Sequence, residues 1–136
     1  MKKNRIIAII LIIILSIGII SYITFISEIR ESEIQEHYNK DNKEYAAKIT
    51  FKIHSFSDIS DINVYAIYPD AKVDVKKGSQ VGKRLFEVEF TKKLTNKEEE
   101  QYYKKRPEYL VTWVENDKKR VSYIYHSNAA PPFLIR

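Results

Sequence analysis

Residues 109–126 read "YLVTWVENDKKRVSYIYH". Two runs of β-branched and aromatic residues flank a polar knot, which is the pattern of a β-hairpin. The loop length decides which side chains share a face, because a one-residue slip turns every side chain to the other side. A three-residue loop, Asn116-Asp117-Lys118, pairs Trp113 with Val121, Val111 with Tyr123 and Tyr109 with Tyr125. Six large side chains then lie on one face. A two-residue loop sets Trp113 against Arg120 and Val111 against Ser122. Burial of one face favours the first, so the predicted register has the three-residue loop, although Lys118 then stands where glycine fits best. The aromatic row reads as core. Its rival role is to offer Tyr109 and Trp113 to a partner as stacking surfaces.

Upstream, other segments alternate with the same period of two. In "KITFKIHSF", Ile49, Phe51 and Ile53 alternate with polar residues. "NVYAIY" is apolar on both faces, and Pro69 ends it because proline cannot donate to a ladder. "AKVDVK" and "RLFEVEF" alternate again, with Val73, Val75, Phe86, Val88 and Phe90 inward and Glu87 and Glu89 outward. "KKGSQVGK" reads as a loop. Thr95-Asn96-Lys97-Glu98 is a capping box, so one short helix starts there and stops before Pro107. This order predicts a mainly β domain, an immunoglobulin-like sandwich with the helix before the last hairpin. An OB-like barrel is the alternative if residues 62–75 form one bent strand.

At the other end, Ile6–Ile26 carries no charge and no proline. As a helix it reaches about 31 Å, the thickness of a bilayer's hydrocarbon core. Lys2, Lys3 and Arg5 precede it, while Glu28, Glu31, Glu33 and Glu36 follow. The positive-inside rule then sets residues 1–5 in the cytoplasm and the rest outside. The run is longer than the apolar part of a cleaved signal, which favours a signal-anchor over a secreted, released domain. The expected divisions are a cytoplasmic tail (1–5), a transmembrane helix (6–26), a polar stalk or linker (27–45), a β domain (46–126) and a Pro-containing tail (127–136).

Lys2, Lys3 and Arg5 supply three of the 23 basic residues, so the remainder has 20 against 18 acidic ones. That near balance predicts no nucleic-acid partner. The absence of cysteine excludes disulfides, thiol catalysis and thiolate metal sites. Heavy use of Ile, Lys, Asn and Tyr suits a bacterial chain. Gly78 and Gly82 glance at a phosphate loop, but three residues separate them and no Ser or Thr follows Lys83. Asp58, Asp61 and Asn63 lack calcium-loop spacing and suit turns. His37, His54 and His126 have no partner at ligand spacing. No nucleophile elbow is present. The sequence thus predicts no enzyme, no cofactor and no metal. It predicts an extracytoplasmic module that binds an envelope protein and holds the bilayer through residues 6–26. Phe133, Leu134 and Ile135, behind Pro131-Pro132, are the further candidates for partner binding. An envelope hydrolase built from scattered Asp, Glu and His is the remaining alternative.

Overall fold

Residues 2–25 and 27–126 are described by the computed structural model, residues 20–25 by their backbone alone. The elements in order are α1 (Lys2–Phe25), β1 (Glu28–Asn39), β2 (Glu44–His54), β3 (Ile59–Ile67), β4 (Val73–Lys77), β5 (Ser79–Gly82), β6 (Leu85–Lys93), α2 (Asn96–Lys104), β7 (Glu108–Glu115) and β8 (Lys118–Ile124). The strands form two antiparallel sheets, β1-β2-β6-β5 and β4-β3-β7-β8. Their inward side chains share one core. Tyr45, Ile49, Phe51 and Phe90 come from the first sheet, and Val64, Tyr109, Val111 and Trp113 from the second.

Period two drives the pattern, as β2 illustrates. Tyr45, Ala47, Ile49, Phe51 and Ile53 are all buried, while Lys48 and Lys52 between them are exposed. Pro69 separates two strands rather than bending one. Tyr68 N–H donates to the Lys72 carbonyl at 2.9 Å, and Ala71 takes the left-handed region there. The bent strand that the barrel alternative requires is therefore not formed. Helix α2 begins at the expected capping box: Glu98 N–H donates to the Thr95 hydroxyl and Thr95 N–H to the Glu98 carboxylate, each at 3.2 Å. It docks through Tyr102, whose ring meets Tyr45 edge-on at 5.5 Å.

Three expectations are corrected. Residues 27–45 are not a stalk, because they contain β1, the edge strand paired along its length with β2. Ile34 and Tyr38 alternate inward as they should, but the inward residue between them is Glu36, which hides the strand from a hydropathy reading. "KKGSQVGK" is not only a loop. The chain crosses from the second sheet to the first at Gly78 and pairs as β5. A side chain at Gly78 would have its Cβ 2.9 Å from Ile62, so only glycine lets the corner close. The third concerns the final hairpin. Its loop is the two-residue Asn116-Asp117, with Glu115 opposite Lys118, Trp113 opposite Arg120 and Val111 opposite Ser122. Asn116 and Asp117 both have positive φ, 50° and 61°, the primed turn that matches strand twist. That turn outweighs the matching of large side chains. Trp113, Val111 and Tyr109 face the core, and Val121 and Tyr123 face out.

Among the described residues no helix is long and apolar enough to cross a membrane. In α1 the described side chains end at Ile19, and its first turn holds Lys2, Lys3 and Arg5. Ile6–Ile19 covers about 21 Å of a hydrocarbon core that is about 30 Å thick. The expected span over residues 6–26 is thus not established.

Candidate functional site

Two features stand out from the fold: the outer face of the second sheet, and a buried ionic cluster at one end of the core. The outer face follows from registers. Val73, Val75 and Lys77 on β4 lie opposite Ile67, Tyr65 and Asn63 on β3. Tyr65 and Asn63 lie in turn opposite Leu110 and Thr112 on β7. Leu110, Thr112 and Val114 lie opposite Tyr123, Val121 and Lys119 on β8. The result is an apolar band across all four strands. Val73 and Val75 do not face inward as their alternation predicts: β4 pairs with β3 so that Val75 lies beside the outward Tyr65, and both valines, like Val121 and Tyr123, are at least half exposed. Thr112 is buried at the centre, and its hydroxyl has no hydrogen-bond partner among the described residues. At one end the band meets Lys77 and Lys119. At the other, a hollow of about 440 Å³ is lined by Tyr123, Ile124, Tyr125, Glu108 and His126.

The ionic cluster centres on Glu36, whose side chain is 3 % exposed. Arg106 donates to Oε1 from Nε at 3.1 Å and from Nη2 at 2.7 Å. His126 Nδ1 lies 3.3 Å from the same oxygen. Tyr45 donates to Oε2 at 2.8 Å. Tyr45 and Tyr109 hydroxyls are 2.6 Å apart, and because Tyr45 spends its proton on Glu36, Tyr109 is the donor. His126 Nε2 is 2.7 Å from the Pro107 carbonyl, which can only accept. Nδ1 lies near the Glu36 carboxylate without hydrogen-bond geometry, and it is the carboxylate's charge that favours the imidazolium.

The charges follow. Burial alone would push the Glu36 carboxyl up, but His126, Tyr45 and Arg106 together hold it below the usual carboxylate range. The Glu36 carboxylate holds His126 above the usual imidazole value, against burial and the charge of Arg106. Burial above all raises the phenols of Tyr45 and Tyr109, so both stay neutral. The cluster ties β1 to the turn before β7 and to the end of β8. It is a clasp across three segments, with its donors and acceptors directed at one another.

The residues singled out in the sequence separate accordingly. Tyr109 and Trp113 are buried at 0 % and 1 % exposure and point into the core. Trp113 Nε1 donates to Ser27 Oγ at 3.0 Å. Phe133, Leu134 and Ile135 lie outside the described residues. His126 joins Glu36, whereas His54 sits edge-on to Phe56 at 5.2 Å. Asp61 and Asn63 do not form the expected turn: both lie in β3, at the irregularity in its pairing with β7, where Asp61 has positive φ and Asn63 Nδ2 donates to it. Among the described residues no group of three or more His, Asp and Glu is arranged to hold a metal ion. Sequence reasoning does not single out Tyr45 or Arg106, and it sets Glu36 in the expected stalk. The signal for Glu36 was its place between Ile34 and Tyr38 at period two. No protein-family model matches this chain, and no curated protein matches it in sequence.

Proposed function

We propose that this chain is a single-pass membrane-anchored module that acts by protein–protein contact in the cell envelope, without catalysis. Its N-terminus is cytoplasmic and its β domain extracytoplasmic. The observation that carries this reading is the apolar outer face of the second sheet. Contiguous exposed apolar surface on a soluble domain marks an interaction site. The partner that suits it is a protein with an apolar surface whose acidic groups meet Lys77 and Lys119.

The strand order supports an immunoglobulin-like sandwich. β1-β2-β6-β5 corresponds to strands A-B-E-D of that fold, and β3-β7-β8 to C-F-G, with β4 added beside C. α2 then lies in the E–F crossover. Three facts support the anchor. The sequence is uncharged from Ile6 to Ile26, the backbone is helical to Phe25, and the apolar side chains from Ile6 to Ile19 that surround the helix are exposed. A helix apolar all round needs lipid or a protein core around it.

The test uses the full chain in its native membrane. A photo-crosslinking residue at Val121 is expected to yield an adduct with a partner, while the same residue at Thr50 on the first sheet yields none. Equal silence at both positions sinks the binding reading. Lys119→Cys creates the only thiol, and labelling of intact cells by an impermeant maleimide tests the topology separately.

A further inference from the structure

A second feature lies on the first sheet, at the end away from Glu36. There a cleft of about 380 Å³ opens between the start of β1, the end of β2 and the β5–β6 turn. Arg30, Lys52, Lys83 and Arg84 line it against one carboxylate, Glu31. Arg30 spends its Nε on Glu28 at 2.9 Å. Lys52, Lys83 and Arg84 make no ion pair among the described residues.

Arg84 is the unusual member. It occupies the left-handed region at φ 56°, where side chains other than glycine are disfavoured. Its carbonyl accepts from Ile53 N–H at 3.0 Å, which fixes the turn against β2. Its Nη1 is buried and has no hydrogen-bond partner among the described residues. A buried guanidinium N–H without an acceptor is costly. Both costs fall on one residue of a cationic cleft, and an anion there would satisfy Nη1 once the guanidinium turns toward the cleft.

The donor set identifies the anion. A guanidinium fork binds two oxygens of a planar or tetrahedral oxyanion, and ammonium groups act as point charges. One fork with two ammonium groups, one from β2 and one from the β5–β6 turn, fits an anion with three or four oxygens better than a carboxylate. We propose that this cleft binds a phosphate group. Arg30 follows Phe25 by five residues, at most about 17 Å of extended chain. If α1 is the anchor, as proposed above, the cleft lies at the headgroup layer and an anionic phospholipid is the natural source of the phosphate. A soluble phosphorylated molecule shares the same chemistry.

The test is a titration of the full chain, isotope-labelled for NMR, in micelles of an uncharged sugar detergent. Inorganic phosphate is added at constant ionic strength, with chloride as control. Saturable shifts are expected in the amides of residues 52–55 and 83–85, and not with chloride. Arg84→Gly should weaken binding ~10-fold or more, since it removes the charge-assisted fork. It keeps the fold, because glycine suits that turn position. Absent shifts in the wild type, or unchanged binding in Arg84→Gly, overturn the proposal. Repeating the titration in nanodiscs containing phosphatidylglycerol separates the sources. Cleft signals already at their bound positions and insensitive to added phosphate mean a lipid headgroup. An unchanged titration means a soluble ligand. If the chain fails to enter the nanodiscs, the anchor reading fails, while the micelle result still decides the site.

Discussion

The two sheets share one core but turn different surfaces to the outside. On the first sheet the outward rows alternate in charge. Glu33, Thr50 and Glu87 form one row, and Gln35, Lys48 and Glu89 the next, with Lys48 and Glu87 paired at 3.6 Å. On the second sheet one row is Val75, Tyr65, Leu110 and Tyr123, apolar throughout, and the next is Lys77, Asn63, Thr112 and Val121. The inward-facing periodicity is the same in both, so folding does not require the difference. A solvated face follows the usual one-sided pattern of antiparallel sheets. An apolar one points to a surface meant to be covered. The distinction rests on the Asn116-Asp117 turn, which sends Val121 and Tyr123 outward.

Slipping β8 behind that turn is the most severe way to break the contrast. Deleting Lys118 keeps Asn116-Asp117 as the loop but sets Val121 against Trp113 and Tyr123 against Val111, turning both inward and Ile124 outward. A loss of cooperative unfolding, or a drop of several kcal/mol, is expected in denaturant melts. Next in size is Glu36→Ala. It leaves Arg106 and His126 without their shared carboxylate, and a loss of about 3 kcal/mol is expected. The same clasp should respond to pH. His126 is raised by Glu36, so its contribution is complete below the ordinary imidazole value and disappears as pH rises through the folded-state value. Glu36 is lowered, so its contribution is present above the ordinary carboxylate value and is lost as pH falls through the folded-state value. Chemical unfolding of His126→Gln should therefore lack the decline that the wild type shows on the alkaline side.

Smaller effects refine the comparison. Thr112→Val removes a buried hydroxyl that has no partner and extends the apolar band, so a gain of about 1 kcal/mol is expected in the same melts. The paired substitutions Val121→Lys and Thr50→Lys should each change stability by less than about 0.5 kcal/mol. With the photo-crosslinking residue at Tyr123, only the first should abolish crosslinking to a partner. If both do, the two faces are functionally alike and the contrast has no meaning for binding.

Much of this was legible from residue order. Alternation gave β2, β6 and β7, Pro69 gave the β3–β4 break, and Thr95 with Glu98 gave the start of α2. What escaped has physical causes. β1 carries Glu36 inward, and a buried carboxylate reads as a surface residue unless its partners are known. Those partners, Arg106 and His126, are 70 and 90 positions away in the chain. The β7–β8 register departs from the one that burial favours because turn chemistry outweighs it. Asn and Asp tolerate the left-handed region well enough to decide it. The Arg84 cleft was invisible because it depends on β5 pairing with β6 across a segment that reads as loop.

One further consequence concerns force. Ser27, at the start of β1, is tied to Trp113, while His126, beyond the end of β8, is tied to Glu36 near the end of β1. The two points where the chain leaves the domain are thus at opposite ends of the sheets. A pull between the helix and anything held beyond His126 runs along the strands. Ladder hydrogen bonds lie across that direction, so the β1–β2 bonds are strained together, in shear, and not peeled apart one by one. Such a load is shared by the whole ladder and not by its end bonds alone.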